Sequence, residues 1–240
     1  MRRLFVTAVS AMTLSLAGCG FSAQADSGPK VDRSYQVAGF TGLEVAGPYD
    51  VTVHTGGVPG VTANGSEKAL DAMKVEVKDG RLQISTVPRR GFSLGWRHSG
   101  PVSLVVTAPM LDSATIAGSG GINVDKVSVA SFRGEIAGSG DLKLASVDAG
   151  DVKLSIAGSG GVHAAGKAKS VKYEITGSGD IDAASLEAES ADISIAGSGN
   201  IKGHATANAS IEMMGSGDIA LTGGAKCTIS KHGSGDIRCS

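Results

Sequence analysis

Residues 136–144 read IAGSGDLKL, and the Gly-Ser-Gly triplet at the centre of this stretch recurs through the second half of the chain. Successive copies are separated by 20, 20, 19, 20, 18 and 18 residues. A fixed period with the same turn signal in each copy predicts a solenoid, in which every copy forms one coil stacked on the previous one. The seven copies begin at Gly118, Gly138, Gly158, Gly177, Gly197, Gly215 and Gly233.

Apolar residues flank each triplet with a period of two, which is the periodicity of a β-strand. We therefore expect an all-β fold, a right-handed parallel β-helix-like solenoid over residues 112–240, with strands of successive coils about 4.8 Å apart. The column two residues before the triplet contains Ile116, Ile136, Ile156, Ile175, Ile195 and Met213. The column four residues after it contains Ile122, Leu142, Val162, Ile181, Ile201, Ile219 and Ile237.

Residues 34–111 lack the triplet but keep the alternation of strands, so we expect a more irregular β part of the same solenoid. Residues 46–53 (AGPYDVTV) overlay residues 137–144 (AGSGDLKL), with Pro48 and Tyr49 in place of Ser and Gly. Residues 73–77 and 82–87 flank Asp79-Gly80, which predicts a hairpin. Residues 102–107 form a further expected strand.

The N-terminal residues resemble a bacterial lipoprotein signal. Arg2 and Arg3 precede an apolar run over residues 4–16, and Leu16-Ala17-Gly18-Cys19 follows it. By this resemblance residues 1–18 are a signal peptide and Cys19 carries lipid, palmitate included, while residues 19–33 are a flexible tether. Gly20 stands where Asp would favour the inner membrane, so in a two-membrane cell the outer membrane is favoured. The alternative is an ordinary cleaved signal peptide.

Composition argues against several functions. The 22 basic and 23 acidic residues are interspersed, so no nucleic-acid partner is expected. The histidines share no column and no metal-ligand spacing, and no nucleophile elbow is present. We therefore expect no catalytic residue, no metal, no cofactor and no enzyme activity.

The residue directly after each triplet forms a predicted ladder of Asp, Asn and Gly. Two interpretations apply: a cation site between carboxylates, or side chains that accept hydrogen bonds from turn amides. The second is favoured, because only Asp218 and Asp236 are carboxylates in adjacent coils. The ladder comprises Gly121, Asp141, Gly161, Asp180, Asn200, Asp218 and Asp236.

The last coil has unusual residues in inward columns. Cys227 and Cys239 lie six residues before and six after Gly233, and we expect a disulfide between them, with two free buried thiols as the alternative. Lys231 occupies the column that is Ile or Met in the other triplet coils. We interpret this charge as protection of an open edge, with self-association through solenoid edges as the alternative.

Residues 88–101 (PRRGFSLGWRHSGP) form the best candidate for an interaction loop. An aromatic side chain beside cations is suited to a protein, a glycan or a lipid headgroup. The alternative is a hairpin tip that folds back over the solenoid end. The candidate interaction residues are Arg89, Arg90, Phe92, Trp96 and Arg97.

Several short motifs, in their order, resemble the putative auto-transporter adhesin head GIN domain family. They are residues 40–43 (FTGL), 47–51 (GPYDV), 79–82 (DGRL), 105–109 (VVTAP) and the repeated Gly-Ser-Gly-Asp-Ile. The resemblance covers roughly residues 38–230, and it implies a β-solenoid with an envelope or surface location. Auto-transporters also carry a translocator barrel and a heptad stalk, and we expect neither in this sequence.

Taken together, these features predict a non-catalytic envelope lipoprotein that presents its solenoid as a binding or adhesion scaffold. The partners expected are the membrane through the lipid anchor and a protein or glycan. The alternative is a glycan-binding module or a polysaccharide-directed enzyme on a β-helix. The two differ in their response to mutation, since an enzyme loses activity with one Asp, His or Arg, whereas a binding rod tolerates most single polar substitutions.

Overall fold

The computed structural model describes residues 29–87 and 101–240. The predicted signal peptide, the predicted lipid-attachment residue Cys19 and the candidate loop residues Arg89, Arg90, Phe92, Trp96 and Arg97 lie outside these ranges. The described elements are β1 Lys30–Tyr35, β2 Gly42–Ala46, β3 Tyr49–Thr55, β4 Gly60–Ser66, α1 Glu67–Asp71, β5 Met73–Lys78, β6 Arg81–Thr86, β7 Val102–Ala108, β8 Ser113–Gly118, β9 Gly121–Val124, β10 Val127–Gly138, β11 Asp141–Gly158, β12 Gly161–Gly177, β13 Asp180–Gly197, β14 Asn200–Gly215, β15 Ile219–Thr222, β16 Lys226–Gly233 and β17 Ile237–Cys239.

Each coil has a first arm that ends at the glycine corner and a second arm that begins after it. Among the described residues, nine first arms pair in parallel in the order β6, β2, β8, β10, β11, β12, β13, β14, β16. Nine second arms pair in the order β7, β3, β9, β11, β12, β13, β14, β15, β17. The predicted parallel solenoid is confirmed, and its stack is about 38 Å high at ~4.8 Å per step.

The corner geometry explains why the triplet recurs. Gly158 has a φ of +137°, and a Cβ there would collide with the carbonyl of Gly138 in the preceding coil. The amide of Ser159 donates a hydrogen bond of 2.9 Å to that same carbonyl. Glycine is required because the backbone takes a positive φ while the neighbouring coil lies against it.

The order of coils in space differs from their order along the chain. Val45 of β2 pairs with Ile84 of β6 on one side and with Ile116 of β8 on the other. The β2–β3 coil therefore lies between the β6–β7 coil and the β8–β9 coil. The predicted overlay of residues 46–53 on a triplet coil is confirmed, because Ala46 pairs with Ala117 and Asp50 with Gly121.

Antiparallel strands cover the N-terminal end of the stack. The predicted hairpin is confirmed as β5 and β6 around Asp79-Gly80, and β4 pairs antiparallel with both β7 and β1. Strand β1, which begins at Lys30 within the segment expected to be a tether, extends this sheet. The helix α1 was not expected from the sequence; Ser66 caps it by accepting a hydrogen bond from the amide of Ala69 at 3.3 Å.

The core is a narrow stack of aliphatic columns. Ile136, Ile156 and Ile175 are each 2% exposed, and the second-arm column from Ile122 to Ile219 is buried to the same degree. Ile237, in the last coil, is only partly buried. The ring of Tyr173 packs against Gly203, which lies on a second arm and has no side chain. Cε2 of Tyr173 is 3.4 Å from the position that a Cβ of Gly203 would take. Its hydroxyl has no hydrogen-bond partner among the described residues, and burial raises its pKa. Burying one aliphatic side chain of these columns contributes about 1.5–3 kcal/mol to the free energy of unfolding.

Candidate functional site

The ladder after the triplets is held by hydrogen bonds from one coil to the next. The amide of Gly161 donates to Oδ1 of Asp141 at 3.0 Å, and the amide of Asp236 donates to Oδ1 of Asp218 at 2.9 Å. Asn200 donates both its backbone and its side-chain N–H to Oδ1 of Asp180, at 3.0 and 2.8 Å. These carboxylates make the turn hydrogen bonds that the sequence predicts.

No metal site accompanies the ladder in the part of the chain that the structure describes. No three side chains of His, Cys, Asp or Glu lie close enough together there to hold a metal ion. A groove of about 630 Å³ crosses the outward face of the second arms beside the ladder. Its lining is net acidic, with five aspartates against Lys202 and Arg238. Three of the five, Asp141, Asp180 and Asp218, already accept amide hydrogens of the following coil. The others are Asp182 and Asp236, and His163 also lines the groove.

A second column, three residues before each triplet or its equivalent, alternates strictly between glutamate and a hydroxyl residue. Carboxylates in this column are therefore two coils, about 10 Å, apart. The spacing keeps like charges out of direct contact. Sequence reasoning missed this alternation, although aligning the repeats on the triplet exposes it. The column contains Glu44, Thr115, Glu135, Ser155, Glu174, Ser194, Glu212 and Ser230.

Lysines of the neighbouring column compensate one of these glutamates. Nζ of Lys153 lies 2.6 Å from Oε2 of Glu174, and Nζ of Lys172 lies 3.1 Å from Oε1. The hydrogen bond from Lys153, followed by that from Lys172, lowers the pKa of Glu174, while partial burial acts in the opposite direction. The carboxylate is held in a surface network that joins coils, which is a structural role.

His54 and Asp125 form a histidine–carboxylate contact. Nδ1 of His54 lies 3.0 Å from Oδ2 of Asp125, and the amide and hydroxyl of Thr55 donate to Oδ1 at 3.1 and 3.3 Å. The amide of Lys126 donates to the same oxygen at 2.6 Å. Partial burial alone would raise the pKa of Asp125, but the hydrogen bonds from His54, Thr55 and Lys126 together lower it. The carboxylate fastens the end of β3 to the β9–β10 connection.

The candidate interaction loop replaces a glycine corner. Ser85 of β6 pairs with Ala46, and Val102 of β7 pairs with Tyr49, so residues 86–101 connect two arms that Gly47 and Pro48 connect in the next coil. The hydroxyl of Tyr49 lies 2.8 Å from Oγ1 of Thr86, which fixes one base of the loop. An insertion at one corner of a rigid scaffold is where binding residues are commonly found.

The last coil carries the disulfide expected from the sequence. Cys227 and Cys239 are bonded across 12 residues, with their Cα atoms 6.6 Å apart. Lys231 pairs with Met213 of β14, so it occupies the inward column as predicted, yet it is exposed. Ile229, in the same strand, is 47% exposed.

No helix in the described ranges is long and apolar enough to cross a membrane.

Comparisons with known proteins identify relatives of the fold. A family model described as putative auto-transporter adhesin, head GIN domain, matches residues 39–225. No curated protein sequence matches the chain.

Solved structures share the architecture at low sequence identity. A putative adhesin from Bacteroides fragilis is 22% identical with a TM-score of 0.77, and the match covers 88% of this chain and 97% of that one. A putative lipid binding protein from Parabacteroides distasonis is 22% identical with a TM-score of 0.69, covering 89% and 97%. A putative adhesin from the same species is 20% identical with a TM-score of 0.68, covering 89% and 98%. At these identities the likeness shows the fold alone.

Proposed function

Because the chain belongs to the putative auto-transporter adhesin head GIN domain family, we propose that it is a non-catalytic binding scaffold of the bacterial cell envelope. The observation that carries this proposal is the replacement of one corner by residues 86–101 in an otherwise regular stack. The triplet coils from Gly118 onward contain no interval longer than 20 residues. A regular rod supplies rigidity, and recognition is assigned to the loop at its inserted corner.

The polar side chains of the triplet coils support a structural rather than a chemical role. The carboxylates of Asp141, Asp180 and Asp218 already accept amide hydrogens of the following coil. Glu174 is committed to Lys153 and Lys172. A carboxylate that acts as a catalytic acid or base is aimed at a substrate. In each of these aspartates Oδ1 is instead engaged by the following coil.

A lipid at Cys19 would attach the rod by its N-terminal end. Lys30, the first residue of β1, follows Cys19 by 11 residues, which span at most about 40 Å when fully extended. The β6–β7 coil, which bears the inserted loop, lies at the same end of the stack. The proposed arrangement has the loop on the membrane-proximal side and β16 on the distal side, in the outer membrane of a two-membrane cell.

The partner proposed for the loop is a protein or a glycan. Relatives of the same fold are named as putative adhesins, and one is named as a putative lipid binding protein. Trp96 and Phe92 supply apolar area, and Arg89, Arg90 and Arg97 supply charge. Such loops bind through a few aromatic and arginine side chains, and the remaining contacts contribute little energy.

The test is binding of the detergent-solubilised full chain to arrays of glycans and purified surface proteins. Trp96→Ala is expected to lower the strongest signal by about tenfold or more, because an aromatic hot spot contributes 2 kcal/mol or more. Met110→Ala is the matched control, since Met110 is a large apolar residue at the same end, 45% exposed and outside the loop. A signal that survives Trp96→Ala but disappears with Asp182→Ala or His163→Ala would contradict the proposal.

A further inference from the structure

The last coil ends the apolar core by its own chemistry, whatever follows in the chain. The inward column that contains Ile175, Ile195 and Met213 continues with Lys231. A further apolar coil on top of Lys231 would bury an unpaired ammonium group, which costs several kcal/mol. Ile229, two residues earlier in the same strand, is 47% exposed because no side chain in the described residues covers it.

This end presents unpaired backbone groups, and their directions follow from the regular corner pattern. In the preceding coils the carbonyl of the first glycine accepts from the next coil, as Gly215 does from the amide of Ser234 at 3.0 Å. Gly233 takes the equivalent position, so its carbonyl is directed along the stack away from β14. Because backbone direction alternates along a strand, Ile229 and Lys231 direct their N–H and C=O groups the same way. The free edge of β16 is thus a template for one more strand.

The disulfide keeps this template in place. Cys227 lies in β16 and Cys239 in β17, so the bond ties the first arm of the last coil to its second arm. Terminal strands of a stacked repeat fray readily, since they have neighbours on one side only. An edge that is already ordered avoids part of the entropic cost of binding.

The net positive charge at this end favours an added strand with acidic side chains. Residues 226–240 contain Lys226, Lys231 and Arg238 against the single carboxylate Asp236, a net charge of +2 with His232 neutral. The edge strands at the opposite end are also basic: β5 carries two lysines and one glutamate, and β1 carries Lys30, Asp32 and Arg33. Stacking one copy on another would therefore bring like charges together. An acidic strand is the complementary occupant.

We propose that the free edge of β16 binds an extended acidic segment of a partner protein by strand addition. Backbone hydrogen bonds to the N–H and C=O groups of Ile229, Lys231 and Gly233 supply affinity, as in other edge-strand complexes. Ile229 and Lys231 lie on the same face of β16, so the inward side chains of the added strand place an apolar group over Ile229 and a carboxylate beside Lys231. Arg238, in β17, adds to the positive potential of this end. This site is independent of the loop at the opposite end, so either proposal stands if the other fails.

The probe is a fluorescein-labelled octapeptide, Val-Thr-Glu-Thr-Val-Thr-Glu-Thr, whose Val and Glu lie on one face of the strand. It is titrated with the full chain in detergent and followed by anisotropy. Binding is expected for this peptide and is expected to be lost when alternate amides are N-methylated, because those amides then cannot donate. The double variant Lys231→Glu/Arg238→Glu is expected to weaken binding by about tenfold. Lys143→Glu/Lys202→Glu, which reverses two cations on the outward face of inner coils, is the matched control and leaves binding unchanged.

Three results overturn the proposal. Equal binding of the N-methylated peptide shows attraction by charge without strand addition. Equal binding of the same peptide with Lys in place of Glu removes the selectivity for acids. A wild-type chain that elutes as a dimer, and becomes monomeric with the Lys231→Glu/Arg238→Glu pair, assigns the edge to a second copy instead. Circular dichroism of both double variants establishes that each retains the folded stack.

Discussion

At the scale of single residues, the corner glycines and a few carboxylates make the contacts that hold neighbouring coils together. Gly158 combines a positive φ with a carbonyl of the preceding coil at the place where a Cβ would stand. The carboxylate of Asp125 is hydrogen-bonded to the ring of His54 and to the amides of Thr55 and Lys126. Both roles depend on contacts between coils, so both can be tested by single substitutions far from any proposed binding surface.

Gly158→Ala is expected to destabilise the protein by about 2–4 kcal/mol, because strained φ and collision with the Gly138 carbonyl act together. Urea unfolding followed by circular dichroism measures the change. Gly39→Ala is the control: a Cβ at Gly39 meets no atom within 4 Å, and its φ is ordinary. A loss below 1 kcal/mol at Gly158 would show that the coils can separate at the corner without penalty.

Asp125→Asn is expected to lower the free energy of unfolding at pH 7 by about 1 kcal/mol, a value reduced for the exposure of the pair. The pKa of Asp125 is lower in the folded protein than in the unfolded chain. Its contribution is therefore complete above the unfolded pKa, near 3.8, and is lost as the pH falls through the folded pKa.

The difference between wild type and Asp125→Asn is thus expected to shrink between pH 5 and the acid end of the titration. Urea midpoints at several pH values measure it. Asp148→Asn is the control, since Asp148 makes no side-chain hydrogen bond within the described part of the chain. A difference that stays constant down to pH 2 would assign the effect to packing rather than to the charge.

At the scale of elements, local patterns predicted the strands well and their partners only where a repeat was present. Alternation around the triplet predicted β8 to β17 together with their parallel register, because each repeat carries the same corner signal. The β5–β6 hairpin followed from Asp79-Gly80. The placement of β2 between β6 and β8 did not, since no local signal states which of two distant strands a third one pairs with.

Smaller elements were missed for similar reasons. The helix α1 has five residues, too few to show a period, and only its cap at Ser66 is a local signal. β1 is polar, and antiparallel pairing with β4 rather than an apolar pattern defines it. For the candidate site, sequence reasoning found the disulfide and the Asp ladder. It missed the alternation of glutamates. It also missed the contact of His54 with Asp125, because these residues lie 71 positions apart in the chain.

The double variant Cys227→Ser/Cys239→Ser is expected to loosen β16 and β17 while the inner coils remain folded. The bridge closes a 12-residue separation, and constraining such a loop stabilises its coil by about 3 kcal/mol. Hydrogen exchange measures the effect, with faster exchange expected in β15–β17 and unchanged exchange in β11. Uniform acceleration along the whole stack would mean that the solenoid unfolds as one cooperative unit rather than coil by coil.

At the scale of the whole molecule, the proposed anchor makes a prediction about location. Cys19→Ala is expected to abolish incorporation of a palmitate analogue and to move the protein from the membrane fraction to the soluble fraction. Fractionation with immunoblotting measures the shift. Cys227→Ser/Cys239→Ser serves as the control, because those cysteines belong to the last coil. Retention of Cys19→Ala in the membrane fraction would show that another segment holds the protein there.

Protease treatment of intact cells then determines which side the rod faces. Cleavage in intact cells supports surface display, and cleavage only after lysis limits the partner to molecules within the envelope.

The reversed order of the first two coils also constrains how the chain acquires its structure. Among the coils, the one formed by β2 and β3 is synthesised first, yet its neighbours β6 and β7 on one side are completed only at Ala108. A solenoid whose coils followed chain order would add each coil to a finished one. Here the β6–β7 coil, on which β2 and β3 pack, is complete only about 50 residues after β3 ends at Thr55. The N-terminal end is therefore expected to be the slow step of folding, and the triplet coils propagate from it quickly.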